Sequence, residues 1–143
     1  MRVNRWPRFL AQALREMNTT EFKWGQHDCG LAACKVVEAI TGTDPAADIR
    51  GTYDTKLHAE EMIESYTGQS GLAGLCEALA GAAGFPEISV KMAGRGDLVM
   101  HSGEEMGDVL GVVTMDGMTA QFAGRTGAVL TPVLSCSRAW RVS

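Results

Sequence analysis

Cys29 is the residue whose type and position best suit chemistry in this chain. It follows Asp28, a residue type that commonly caps helices, and it precedes a run of apolar residues spaced three and four apart. The spacing predicts a buried helix with Cys29 in its first turn, ended by Thr41-Gly42. There the helix dipole and the free amides would stabilise a thiolate and lower the pKa of the thiol. A cysteine peptidase uses such a thiolate as its nucleophile.

A cysteine nucleophile also needs a base, and the chain has 3 histidines. His27 stands just before Cys29 in a loop, and His58 belongs to a predicted surface helix. His101 ends a predicted strand, and antiparallel pairing with the next strand would make it a cross-strand neighbour of Leu110. A shift of one residue in that register would turn the His101 side chain to the other face of the sheet.

The elements that must position these residues change character along the chain. Helical periodicity predicts helices over residues 6–17, 29–41, 56–66 and 71–83, with a long loop over 43–55. Apolar runs between glycine-rich turns predict strands over 97–101, 109–115, 118–123 and 139–142. Asp116-Gly117 is a typical hairpin turn, and the glycines over 124–127 mark another turn. Helices followed by an antiparallel meander predict the α+β class.

Composition limits the classes of function. A chain of 143 residues suits one domain, over residues 1–143. The net charge of -4 argues against a nucleic-acid-binding surface. No apolar run reaches the about 18 to 20 residues of a membrane span, and the arginine-containing N-terminus does not resemble a signal peptide. The protein is therefore expected to fold in the cytoplasm of the cell that makes it.

The cysteines predict no cofactor. None of the 4 cysteines has the spacing of a zinc knuckle or a redox motif, so reduced thiols are expected. Cys34, Cys76 and Cys136 are predicted to be buried or half-buried. Cys29 could itself be a core thiol, because free cysteine behaves as a small apolar residue. The sequence implies neither a metal nor an organic cofactor.

Segments of the chain resemble motifs of the NlpC-like cell-wall peptidases, which have a papain-type fold. Residues 22–30 read F-x-W-G-x-x-D-C-G, similar to the nucleophile motif, and residues 96–99 read G-D-L-V, similar to a strand of that family. The resemblance implies an α+β, papain-like NlpC-type fold, with N-terminal helices followed by a small antiparallel β-meander or barrel. It implies Cys29 as the nucleophile and Gln121 as the residue that orients the base. It places Leu110 at the position of the base.

A phage and prophage family resembles the chain over more of its length. Its members share an R-W-P opening, a W-G-x-x-D-C segment, an A-x-T-G-x-D-P helix end, an R-G-x-Y loop and an A-W-x-V ending. This sequence has them at residues 5–7, 24–29, 39–45, 50–53 and 139–142. The resemblance implies a product of a phage tail gene cluster, located in the virion, that acts in tail-tip assembly or in penetration of the cell wall.

Leu110 decides between two functional hypotheses, because leucine cannot accept a proton. The first is a tail-tip or baseplate component built on a degenerate peptidase fold, made in the cytoplasm of the bacterial host, whose partners are other tail proteins. The alternative is an active cysteine peptidase or amidase that cleaves peptidoglycan. In that case Cys29 would be the nucleophile, His101 or His27 the base and Gln121 the orienting group.

Overall fold

The computed structural model describes residues 1–103, 107–115, 117–122 and 127–143. Within these ranges the chain forms four α-helices and then six short strands, so the predicted α+β class is confirmed. The helices are α1 (Trp6–Thr19), α2 (Leu31–Thr41), α3 (Lys56–Thr67) and α4 (Leu72–Ala83). The strands are β1 (Glu87–Ile88), β2 (Leu98–Gly103), β3 (Gly107–Val113), β4 (Met118–Gln121), β5 (Val129–Pro132) and β6 (Arg138–Trp140).

Glycines end three of the helices where the sequence predicts. Gly42, Gly68 and Gly84 follow α2, α3 and α4, each with a positive φ that suits a residue without a Cβ. The segment over 43–55 contains turns but no helix or strand, as predicted for a long loop. Sequence pattern therefore locates the helical half of the chain closely.

The strands form one open antiparallel sheet in the order β1-β6-β2-β3-β4-β5. The predicted antiparallel sheet is confirmed, and because its outer strands β1 and β5 do not pair with each other, the described strands do not close into the barrel that was the second alternative. Strands β3 and β4 pair as the hairpin predicted around residues 116–117, although Asp116 itself lies outside the described residues. Ala123, at the end of a predicted strand, also lies outside the described residues. The same holds for residues 124–126 of the predicted glycine-rich turn.

The sheet has two faces with different partners. The helix face packs on α1 and α2 and carries the apolar side chains of Leu98, Met100, Leu110, Val112, Ala120, Phe122 and Trp140. The outer face carries Val99, Val113 and Ala139, which pack on Val133 and Cys136. A further apolar cluster joins α2, α3 and α4. Since side chains alternate along a strand, neighbouring residues belong to opposite faces.

Asp97 draws the two ends of the described chain together. Its buried carboxylate accepts hydrogen bonds from Arg2 Nη2 at 3.0 Å and from the Val142 amide at 3.1 Å. Arg2 Nε also donates to the Val142 carbonyl at 3.0 Å, and Arg141 Nε lies 3.2 Å from the carboxylate.

None of the described helices is long and apolar enough to cross a membrane.

Candidate functional site

Cys29 lies in the turn that leads into α2, closed by a hydrogen bond of 3.1 Å from the Ala32 amide to the Asp28 carbonyl, so it stands at the start of the helix. The regular part of α2 begins two residues later, at Leu31. The Asp28 carboxylate accepts from the amides of Gly30 at 3.0 Å and Leu31 at 2.9 Å. Asp28 therefore caps the start of the helix as predicted, and its side chain closes the turn that contains Cys29.

Asp28 also joins the cysteine turn to the loop before α3. The Tyr53 hydroxyl donates to Asp28 Oδ2 at 2.5 Å, and the Gly25 amide donates to the same oxygen at 3.1 Å. Both Asp28 and Tyr53 are buried. At Gly25, φ is +83° and a Cβ would lie 1.8 Å from the Tyr53 carbonyl oxygen, so only glycine fits. The two loops are thereby held in one arrangement.

Arg50 fixes the same loop from the other side. Its Nε donates to Asp44 Oδ2 at 2.8 Å, and its Nη1 donates to the Gln26 carbonyl at 2.9 Å. Burial tends to raise the pKa of Asp44, but the hydrogen bonds from Arg50 and from the Ala46 amide, together with the charge of Arg50, outweigh it and that pKa is lowered. Arg50 and Tyr53 thus pin the long loop to the segment that carries Cys29.

The pKa of the Cys29 thiol is raised to about 11. Burial is the larger cause, and the negative charge of Asp28 adds to it. A hydrogen bond to the backbone and the charge of Lys56 act in the opposite direction and are weaker. The predicted lowering of this pKa is therefore wrong, because the turn places the sulfur among apolar side chains and beside a carboxylate. At neutral pH the thiol is protonated.

Leu110 lies directly beside Cys29. The Leu110 amide donates to the Cys29 carbonyl at 3.1 Å. Both residues line a small cavity of about 40 Å³ under Trp24 and Tyr53. Cys29 also borders a larger groove of about 510 Å³, whose walls include Phe22, Trp24, Lys56, Leu72 and Val109. The thiol therefore meets a mainly apolar surrounding, with Leu110 in the position that the resemblance gives to the base.

His101 is not the cross-strand neighbour of Leu110. The register of β2 with β3 pairs His101 with Val109 and Met100 with Leu110. The predicted pairing was therefore one residue out. By alternation His101 then belongs to the outer face with Val99, whereas Leu110 belongs to the helix face. Its Nδ1 atom is buried and has no hydrogen-bond partner among the described residues.

Gln121 is fully buried on the outer face of the sheet. Its amide nitrogen donates to the hydroxyls of Thr119 and Thr131, the latter at 2.8 Å, and its carbonyl oxygen accepts from Thr131 at 3.2 Å. Gly111 stands opposite, where a Cβ would lie 2.7 Å from the Ala120 carbonyl oxygen and 2.8 Å from Gln121 Cγ. The Gln121 side chain thus links β4 to β5, and none of its hydrogen bonds goes to a described histidine.

His27 packs its ring edge against Phe122, with 4.2 Å between ring centroids. Its Nε2 atom is buried and unpaired within the described part of the chain, and burial lowers the pKa of the ring. It borders a cleft between α1 and α2 that also contains Glu16 and Lys35. No hydrogen bond joins the Cys29 thiol to His27, His58 or His101, all of which are described.

The structure thus brings Cys29 and Leu110 together and places His101 and Gln121 on the outer face. Cys34, Cys76 and Cys136 are buried, as predicted. Asp28 and Tyr53, which hold the cysteine turn, were visible in the sequence only as a helix cap and as part of the R-G-x-Y loop. Across the described residues, no group of three or more His, Cys, Asp or Glu side chains is placed to hold a metal.

Comparison with known proteins gives one match. No curated protein and no solved structure matches the chain. A family described as a domain of unknown function (DUF6950) matches residues 1–142. Because the match covers nearly the whole sequence, the chain belongs to the DUF6950 family.

Proposed function

We propose that this protein is a phage tail-tip or baseplate component, built on a degenerate NlpC-like cysteine peptidase fold, in which Cys29 does not act as a nucleophile. The observation that carries the proposal is the contact between Leu110 and Cys29, with 3.1 Å between the Leu110 amide and the Cys29 carbonyl. In the related peptidases this place belongs to the base. A leucine there leaves the thiol without a proton acceptor.

The protonation of Cys29 supports the same proposal. With a thiol pKa of about 11, roughly one molecule in ten thousand carries a thiolate at pH 7. An enzyme with a cysteine nucleophile needs a neighbouring base or a lowered pKa to overcome this. Loss of a general base typically costs about a hundred- to ten-thousand-fold in rate.

The motifs that carry the phage-family resemblance contact one another, which supports a structural use for them. The W-G-x-x-D-C segment meets the R-G-x-Y loop through the Tyr53–Asp28 hydrogen bond. The Gly51 amide also donates to the Gly25 carbonyl at 2.7 Å. These contacts build the loops and helix start around Cys29 without requiring any chemistry at its sulfur.

An active peptidoglycan-cleaving peptidase or amidase is the second candidate, and the groove beside Cys29 favours it. This groove of about 510 Å³ is large enough for a short peptide segment and reaches the sulfur-bearing residue. In that function His101 or His27 would serve as the base and Gln121 as the orienting group. All three side chains would need to leave their present neighbours and approach the Cys29 sulfur.

Alkylation of the four cysteines across pH, followed residue by residue with mass spectrometry, tests the state of Cys29. Cys34, Cys76 and Cys136 serve as internal controls because they are buried. We expect Cys29 to react only as the pH approaches 11, since its thiolate is scarce below that value. Rapid reaction governed by a pKa below about 8.5 would contradict the proposal.

Complementation tests the function itself. A phage that lacks this gene is supplied with the wild-type protein or with the Cys29→Ala variant, and infectious particles are counted. We expect both proteins to restore particle formation equally and both to be present in purified virions. Restoration by the wild type alone, with intact tails in both cases, would favour the peptidase.

A further inference from the structure

Positive charge is concentrated around Trp6. Three arginines, from both ends of the chain and from the turn before β2, gather there. We call this surface the arginine patch; it consists of Trp6 with Arg2, Arg95 and Arg141. Asp97 is the carboxylate that contacts it, and Asp97 is only 1% exposed. The patch therefore presents an excess of positive charge on a chain whose net charge is -4.

Contacts show that these arginines share one surface. Arg2 Cζ lies 4.1 Å from the centroid of the Trp6 ring, and Arg95 Cζ lies 5.4 Å from it. Arg2 Nη1 donates to the Arg95 carbonyl at 2.8 Å. Burial lowers the pKa of Arg2; the charge of Asp97 raises it, and the charges of Arg141 and Arg95 lower it again by less. Arginines this close repel one another, and a carboxylate brought to the patch would relieve that repulsion.

Helix α3 presents the complementary charge. Leu57, Glu61 and Glu64 follow the i, i+4, i+7 spacing of one helical stripe, and Glu60 lies beside it. All four are exposed, and Leu57 is exposed to 62% although it is apolar. No ion pair links these glutamates to a cation in the described part of the chain. We call these four residues the acidic face.

We propose that the arginine patch of one molecule binds the acidic face of α3 on a second copy of this chain. The two surfaces carry opposite charge, and each includes an exposed apolar group: Leu57 on one side, and Met92, 66% exposed beside Arg141, on the other. Arginine, methionine and tryptophan are enriched in protein interfaces. The negative net charge of the chain disfavours a nucleic acid as occupant.

This contact joins two different surfaces, so each bound molecule keeps one patch or one face free. Such head-to-tail contacts produce rings when the rotation closes and open chains when it does not. The proposal does not rest on the function proposed above, since it requires neither an active nor an inactive Cys29. It predicts self-association that depends on protein concentration and on salt.

Sedimentation velocity of the full chain at rising concentration measures the association directly. We expect assemblies at about 50 mM salt, and an apparent dissociation constant at least about tenfold higher at about 500 mM salt, because screening weakens exposed charge pairs. A monomer at every concentration in low salt would overturn the proposal.

Charge reversal identifies the surfaces. The Arg95→Glu/Arg141→Glu variant makes the patch negative, and the Glu61→Arg/Glu64→Arg variant makes the acidic face positive. We expect each variant alone to be monomeric. An equal mixture should associate, because the reversed patch of one variant then complements the reversed face of the other. A mixture that stays monomeric, when the wild type associates, would overturn the assignment of the two surfaces.

A matched control separates local from net charge. The Arg15→Glu/Lys23→Glu variant changes the net charge by the same amount at exposed positions outside the patch, and we expect it to associate like the wild type. Equal loss of association in this control would overturn the proposal. If a reversal variant loses its helical circular dichroism, the Arg95→Gln/Arg141→Gln variant replaces it, with at least a several-fold weaker association expected. Binding to a DNA duplex or to anionic vesicles without self-association would also contradict it.

Discussion

The hydrogen bond from Tyr53 to Asp28 is the sharpest test of how the cysteine turn is held. The Tyr53→Phe substitution removes the hydroxyl and keeps the ring. Asp28 is 2% exposed, and none of the described ion pairs includes it, so its carboxylate depends on hydrogen bonds from Tyr53 and three backbone amides. Removing one of these donors leaves a buried charge less well solvated.

The expected cost follows from the kind of bond that is lost. A hydrogen bond to a buried charged group contributes about 1.5–3 kcal/mol to stability. The bond measures 2.5 Å and both residues are buried, which places the substitution in the upper part of that range. We therefore expect the free energy of unfolding of Tyr53→Phe to fall by about 2–3 kcal/mol. For a chain of this size, the midpoint of thermal unfolding should fall by roughly 6–12 °C.

Urea denaturation followed by circular dichroism gives the free energy directly. Tyr66→Phe is the matched control, because Tyr66 is 42% exposed and its hydroxyl has no partner among the described residues. We expect this control to differ from the wild type by less than about 0.5 kcal/mol. If Tyr53→Phe also stays within that range, the Asp28–Tyr53 bond does not hold the two loops and our account of the turn is wrong.

Three other features give predictions that stability measurements can check. In urea denaturation, Gly111→Ala should destabilise the chain by about 2–3 kcal/mol, because the added Cβ would lie 2.7 Å from the Ala120 carbonyl oxygen. Gly81→Ala is the control: its Cβ would meet nothing within 4 Å, and the substitution should stabilise α4 by about 0.5–1 kcal/mol. Burial lowers the pKa of His27 below 6.5, its value in the unfolded chain, so the neutral ring favours the folded state. The free energy of unfolding should therefore be highest above pH 6.5 and decrease as the pH falls below it. His27→Gln should lack this decrease. Asp97→Asn should cost about 2–3 kcal/mol, measured as a lower urea midpoint, because it removes the charge that Arg2 and Val142 contact.

The helical half of the fold could be predicted because its signals are local. A cap at Asp28, apolar residues at helical spacing and glycines at Gly42, Gly68 and Gly84 are all visible within a few residues of sequence. The sheet was predicted less completely. Strand β1 has only two residues and β5 contains Pro132, so neither shows the alternation that marks a strand.

The site could be predicted only as a set of candidate residues. The β2–β3 register was predicted one residue out, because no local signal marks which residues pair across the two strands, and this error reversed the face assigned to His101. The pKa of Cys29 depends on packing by residues distant in sequence and on the charge of Asp28. Sequence spacing alone suggested only the helix dipole, which acts in the other direction.

The place of β6 in the sheet has a consequence for how the chain folds. Strand β6 lies between β1 and β2, yet it is the last of the six strands to be synthesised. Until residues 138–140 leave the ribosome, the facing edges of β1 and β2 have no partner, and the nascent chain exposes strand edges that other chains could bind. Translation arrested before Arg138 should therefore yield an aggregation-prone product, and the long-range pairing of β6 should make it late in folding and dependent on chaperones.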